Sequence, residues 1–200
     1  DFRQQMLREE VHNLHAILYT HEHRDHIAGL DDVRPINFLN KKPMEVYGEE
    51  RVITALKQMF PYAFEENKYP GVPDINLNTI KVEDFAADGI RIIPIRAYHY
   101  KLPVLGFRIG DFTYITDANY IPEEEKDKII GSKYLIINSL RRKKHISHFN
   151  LDESVNLVSE FGPRQAYFVH MSHQMGKHEQ VNEQLPDNIE LAYDRMTLEV

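Results

Sequence analysis

The chain has 200 residues, 42% of them hydrophobic and 28% charged, with a formal net charge of −7 and no cysteine. This is enough apolar material for one domain with a real core, so residues 1–200 are expected to form a single domain. The acidic balance argues against non-specific wrapping of nucleic acid, the lack of any run of about 18 apolar residues argues against a membrane span, and the missing cysteines exclude disulfides and thiolate ligands.

The chain opens Asp1-Phe2-Arg3-Gln4-Gln5-Met6-Leu7, with Phe2, Met6, Leu7 and Val11 forming a helical stripe. An opening without Met that is already helical in pattern reads as a trimmed start, with the first strands of the fold missing. No basic-then-apolar leader is present, and a cytoplasmic location is expected. Leu14–Tyr19 reads as a buried strand. Between Ile27 and Asn40, Asp31-Asp32 could open a helical turn that Pro35 limits.

Met44–Tyr47 is expected as a strand, and Glu49–Phe60 as a helix carrying Val52, Ile53, Leu56, Met59 and Phe60 inward. Phe60–Pro73 is the longest irregular segment and is expected to border the substrate entrance. Strands follow at Thr79–Val82, Ile90–Ala97, Val104–Ile109 and Phe112–Thr116, with Gly110-Asp111 turning the last hairpin. Glu123–Ile130 reads as a short helix and Tyr134–Ile137 as a strand. Leu151–Phe161 reads as an amphipathic helix closed by Gly162-Pro163. Gln165–Val169, Glu190–Tyr193 and Thr197–Val200 complete the strands. Alternating strands and helices with hairpins mixed in suit an α/β fold of two sheets packed face to face with helices outside.

The chemistry concentrates after the first strand, in Thr20-His21-Glu22-His23-Arg24-Asp25-His26-Ile27-Ala28-Gly29. Imidazole and carboxylate suit Zn²⁺, Mn²⁺ or Fe²⁺. His21 and His23, two apart, can point the same way for one ion while Asp25 and His26 turn toward a second. Three downstream strand ends also carry candidate ligands. His99 follows one strand and could equally be a hydrogen-bonded loop residue. Asp117 closes another and could be a turn former. His170 ends a third, with His173 one turn beyond. Ahead of the long helix lies Arg141-Arg142-Lys143-Lys144-His145-Ile146-Ser147-His148, a run that is either a solvated face or a phosphate-attracting approach.

Thr20–Gly29 resembles the HxHxDH signature of the metallo-β-lactamase fold superfamily, whose members are mostly binuclear hydrolases. The resemblance implies a metallo-β-lactamase-like αβ/βα sandwich and two divalent metal ions, zinc or manganese with iron admitted. It implies His99 as the next ligand, since Gly106-Phe107-Arg108-Ile109 is similar to the family's following strand. It implies Asp117 as the bridging carboxylate, in Tyr114-Ile115-Thr116-Asp117-Ala118, and His170 as the last histidine, with His173 in reserve. The implied assignment is His21, His23 and His99 on one ion, Asp25, His26 and His170 on the other, with Asp117 between them. Such a pair could supply a bridging hydroxide as nucleophile.

A narrower resemblance rests on His148, the Leu151–Phe161 helix, Tyr167–Gln174 and Leu185–Asp194. These are similar to the phosphoribosyl 1,2-cyclic phosphate phosphodiesterase family of the C–P lyase pathway and its relatives. It implies a phosphodiesterase acting on a small cyclic phosphate or nucleotide-like ester, with His148 as general acid or oxyanion stabiliser. Asp25 counts beside His148 among the catalytic residues, and His145, Arg142 and His173 among the substrate contacts. The expected partner is a small phosphate ester, with neither membrane nor nucleic acid, and a homodimer is allowed. Arg195 stands where the family usually has glycine. Alternatives are a thioester, lactone or β-lactam hydrolase on the same metals, a tRNA-processing-nuclease relative, and a non-catalytic metal- or nucleotide-binding module.

Overall fold

The computed structural model describes residues 2–199, so Asp1 and Val200 lie outside the described residues. The chain divides into two compact units. One comprises residues 1–81 and 86–89, the other residues 82–85 and 90–200.

The first unit contains α1 (Phe2–Arg8), β1 (Ile17–Leu18), α2 (Arg24–Ile27), a 3-10 turn (Leu30–Val33), α3 (Arg34–Asn40), β2 (Met44–Gly48), α4 (Glu50–Met59) and β3 (Ile75–Thr79). Its three strands are all parallel in the order β1-β2-β3. Val52, Ile53 and Leu56 of α4 pack with Met44, Val46, Ile75, Ile27, Leu30 and Val33 in one cluster, the inward stripe that the spacing of α4 predicts.

Three local expectations shift. The first strand pairs only over Ile17–Leu18. Pro35 starts α3 instead of limiting it, because a proline in the first helical turn forfeits no intrahelical hydrogen bond. The strand expected at Thr79–Val82 lies at Ile75–Thr79, where Asn76 and Asn78 both donate to the Glu45 carboxylate on β2, at 2.6 and 2.8 Å. That cross-strand bridge makes polar residues acceptable in a strand that hydropathy alone does not reveal.

The second unit contains β5 (Ile90–His99), β6 (Leu102–Ile109), β7 (Phe112–Ile115), α5 (Glu123–Lys126), β8 (Tyr134–Asn138), α6 (Leu151–Phe161), β9 (Gln165–Val169), α7 (His178–Asn182) and β10 (Ile189–Leu191). Its sheet runs β10-β9-β8-β7-β6-β5, with β4 (Phe85–Ala87) at the edge where the chain passes between units. From β10 to β7 the neighbours are parallel, and β7-β6-β5 are antiparallel. Buried Leu151, Val158 and Phe161 of α6 join Ile95, Ile115, Leu135, Ile137, Ala166 and Phe168 of the strands in the larger core.

α6 has the bounds expected from its sequence. Its start is fixed by a reciprocal capping box, in which the Glu153 N–H donates to Asn150 Oδ1 at 2.9 Å and the Asn150 N–H donates to Glu153 Oε2 at 3.0 Å. Its end is set by Gly162 in the left-handed region, φ 61°. The strand expected near the C-terminus does not form over residues 197–199, and its last residue lies outside the described region. Two sheets, one all-parallel and one mixed, together with helices agree with the expected α/β class. No helix among the described residues is long and apolar enough to cross a membrane.

Candidate metal centre

In the first unit, β1 delivers Thr20 and His21 and α2 delivers Asp25 and His26. His21 is fully buried. Its Nδ1 lies 3.0 Å from the Thr20 hydroxyl, and its Nε2 lies 3.1 Å from His23 Nδ1. Two ring nitrogens each about 2.0–2.1 Å from a tetrahedral ion would sit about 3.3 Å apart, so this spacing is close to that of a pair sharing one cation. The intervening Glu22 bonds instead to Arg51 of α4 at 2.5 Å, which keeps its carboxylate occupied while the flanking histidines meet. The His26 ring centre lies 4.2 Å from that of His21, and the exposed Asp25 carboxylate lies 3.5 Å from His26 Nε2. The four residues of the signature are thus gathered within this unit.

In the second unit, the carboxyl ends of β5, β7 and β9 supply His99, Asp117 and His170, as expected for side chains placed at the ends of strands. The His99 Nδ1 lies 2.9 Å from the Ser147 carbonyl oxygen. A ring nitrogen facing a carbonyl must carry the proton, which makes Nε2 the lone-pair nitrogen, the tautomer a metal ligand needs. Asp117 and His170 both adopt the left-handed backbone region, at φ 53° and 60°. Such conformations are disfavoured for residues with a Cβ and persist where the surroundings enforce them. The turn at each strand end brings His170 Nε2 to 2.9 Å from Asp117 Oδ1. Asp117 is only 3% exposed, and the Thr116 hydroxyl donates to the same oxygen at 3.1 Å.

His148 lies in the midst of this group. Its ring centre is 4.8 Å from that of His170, nearly parallel, 4.5 Å from that of His99 and 5.1 Å from that of His145. Ligand atoms of Asp117, His148 and His170 all lie within 4.8 Å of one another. His148 is 8% exposed, and its buried Nδ1 has no hydrogen-bond partner among the described residues. Burial pushes its pKa down to about 4. Asp117 opposes that shift, and His170, His99 and His145 add to it. His148 is therefore a neutral imidazole near pH 7, able to donate one N–H and to accept at the other nitrogen.

The remaining residues singled out in the sequence fall around this group. His145 is half-buried, and its Nδ1 accepts from the Ser147 N–H at 3.3 Å. Arg142 uses its guanidinium on the Met175 carbonyl and the Gln184 side-chain oxygen, at 3.3 and 2.7 Å. Arg141 binds the Lys143 and Lys144 carbonyls and Gln174, so the basic run is in part a fastening of its own loop. His173 is exposed in the turn after β9. No sequence pattern marks Asn138, a fully buried residue whose side chain binds the backbone beside Asp117.

Nitrogen and carboxylate donors alone, and a buried carboxylate among imidazoles, suit a divalent cation of the zinc or manganese kind. Each unit carries its own share of such donors.

The family described as the beta-lactamase superfamily domain matches residues 1–171. A crystal structure of a diphosphatase from the PhnP family is 34% identical and superposes with a TM-score of 0.92, covering 100% of this chain and 77% of that one. The short form of human tRNase Z is 16% identical with a TM-score of 0.75, covering 98% and 84% of the two chains, a likeness of fold. An octanoyltransferase of Porphyromonas gingivalis is 36% identical over 196 residues, covering 97% of this chain. The chain spans only 39% of the length of that relative.

Proposed function

Because the chain belongs to the β-lactamase superfamily, and to the PhnP family within it, we propose that it is a binuclear metal-dependent hydrolase acting on a small phosphate ester. In this reading His21, His23 and His99 hold one divalent ion, Asp25, His26 and His170 hold the other, and the Asp117 carboxylate serves both. Two such ions, when bound, lower the pKa of water and polarise the phosphoryl group attacked.

The chain's own residues supply the rest. The Ser147 carbonyl holds the His99 tautomer and the Thr116 hydroxyl orients Asp117, the kind of supporting bonds that ligands require. His148, neutral and enclosed by histidine rings, offers an N–H to a phosphoryl oxygen and so stabilises charge that develops there. His145 stands next to it as a second contact. Lys143 and Lys144 are exposed on the same loop and add positive potential for an anionic substrate.

The observation that carries this reading is the convergence of Asp117, His148 and His170 at three chain turns of the larger unit. The diphosphatase relative supports a phosphodiester or a diphosphate linkage as the bond cleaved. A second reading, hydrolysis of an acyl ester or thioester, draws on the octanoyltransferase relative, although the chain matches only 39% of that protein.

The test is elemental analysis of the purified protein together with turnover of a bis-aryl phosphodiester, a nucleoside diphosphate ester and an octanoyl thioester. We expect about two metals per chain and turnover of a phosphate substrate. Asp117→Ala should lose metal and activity together, and His148→Ala should keep metal while kcat falls by about 10²–10⁴-fold. No phosphate turnover with Zn²⁺ or Mn²⁺ between neutral and alkaline pH refutes the phosphoesterase assignment, and thioester turnover alone selects the second reading.

A further inference from the structure

The buried polar groups of the larger unit converge on Asn138, the last residue of β8. Its backbone is in register with Val169, the residue before His170. Its side-chain oxygen accepts from the Ala118 N–H at 2.8 Å, and its side-chain nitrogen donates to the Ala118 carbonyl at 2.9 Å. Ala118 follows Asp117, where the left-handed turn leaves β7. Regular pairing of β7 with β8 stops at Ile115 and Ile137. Beyond that point the Asn138 amide stands in for a peptide group and makes both bonds of the missing rung.

The arrangement extends further. The same Ala118 carbonyl accepts from the Phe149 N–H at 2.8 Å, one residue after His148. The Asn138 carbonyl accepts from the Ser154 hydroxyl of α6 at 3.0 Å. Asp117, His148 and His170 therefore each have an immediate chain neighbour tied to Asn138, either directly or through Ala118.

We infer that Asn138 is a positioning residue that locks the left-handed turn at Asp117 and aligns that carboxylate with His148 and His170, touching neither metal nor substrate. The role requires a planar group with a donor and an acceptor side by side. Aspartate keeps the acceptor for the Ala118 N–H but sets a second oxygen against the Ala118 carbonyl. Leucine keeps the volume and removes both bonds. The inference rests on the metal-centre reading for what the alignment serves.

The experiment compares wild type with Asn138→Leu and Asn138→Asp, and with Thr113→Val as a control for lost stability. Thr113, on β7 of the same sheet, forms a buried hydroxyl pair at 2.6 Å with Ser132 of the loop before β8. Three quantities are measured: amide hydrogen exchange at Ala118 and Phe149 in metal-free protein, Zn²⁺ affinity by chelator competition, and kcat and KM.

For Asn138→Leu we expect lost protection at Ala118, Zn²⁺ binding weakened about 10–100-fold, and a fall in kcat larger than any rise in KM. Asn138→Asp should lie between that variant and wild type, and it carries the test if the leucine variant does not fold. Thr113→Val should lower Tm with Zn²⁺ affinity within about twofold of wild type. A folded Asn138 variant with wild-type Zn²⁺ affinity and kcat overturns the inference. So does a Thr113→Val protein that loses Zn²⁺ affinity equally at equal loss of Tm. Wild type that binds no Zn²⁺ overturns the metal-centre reading instead, and the exchange data still report whether Asn138 holds the turn.

Discussion

His148 makes the most direct link between burial and a measurable property. Its pKa moves from 6.5 down to about 4 because the folded chain removes the imidazolium from water. A base whose folded pKa is depressed is bound to fewer protons in the folded state, so its neutral form is the stabilising one. Its contribution is fully present above pH 6.5, falls as pH drops through the window from 6.5 to about 4, and is constant below. The gap corresponds to about 3 kcal/mol, with a slope near 1.4 kcal/mol per pH unit inside the window.

The perturbation is His148→Gln, which retains polarity and most of the volume but does not titrate. Urea unfolding of metal-stripped wild type and variant between pH 3.5 and 8 gives two stability profiles, and their difference isolates this one group from the carboxylates that titrate nearby. Wild type should lose about 3 kcal/mol relative to the variant between pH 6.5 and 4. A difference that stays flat across that window refutes the claim that burial holds His148 neutral.

Other perturbations test the architecture. Asn150→Ala removes one half of the capping box at the start of α6 and should cost about 1 kcal/mol by urea unfolding. Gly106→Ala places a Cβ 2.8 Å from the Ile115 side chain and 2.9 Å from the Tyr114 carbonyl oxygen. The backbone contact cannot yield cheaply, so a loss of about 1–3 kcal/mol is expected and should appear as a lowered Tm. Arg195 occupies the left-handed region at φ 73°, where glycine carries no Cβ penalty. Arg195→Gly should therefore raise stability by up to about 1 kcal/mol, and a lowered Tm would show that contacts of the arginine outweigh the backbone strain.

Much of this protein was legible locally. The extent of α6 followed from apolar spacing between an asparagine and a Gly-Pro stop, because caps and helical periodicity act within a few residues. The 10-residue helix α4 followed from helical spacing of its apolar residues, and β9 from a short apolar run. The HxHxDH signature and the histidines and aspartate at strand ends were visible as residue types at suggestive places. The departure at Arg195 pointed to a position that favours positive φ, and the residue there has φ 73°.

What only the tertiary structure decided depends on contacts between distant segments. Asn76 and Asn78 belong to a strand because Glu45 on its neighbour satisfies both side chains. The left-handed turns at Asp117 and His170 were not announced by the chain, since aspartate and histidine tolerate that conformation better than most residues but do not require it. The depressed pKa of His148 comes from burial, to which His99 and His170 from distant strand ends add, a proximity that no spacing in the chain encodes. Asn138, 21 residues after Asp117 and 32 before His170 in the chain, reads locally as the polar end of an apolar strand. It became meaningful only when the sheet set its amide against the backbone of Ala118. Residue types and local spacing thus determined which side chains could do chemistry, and the sheet, through long-range pairing, decided which of them stand together.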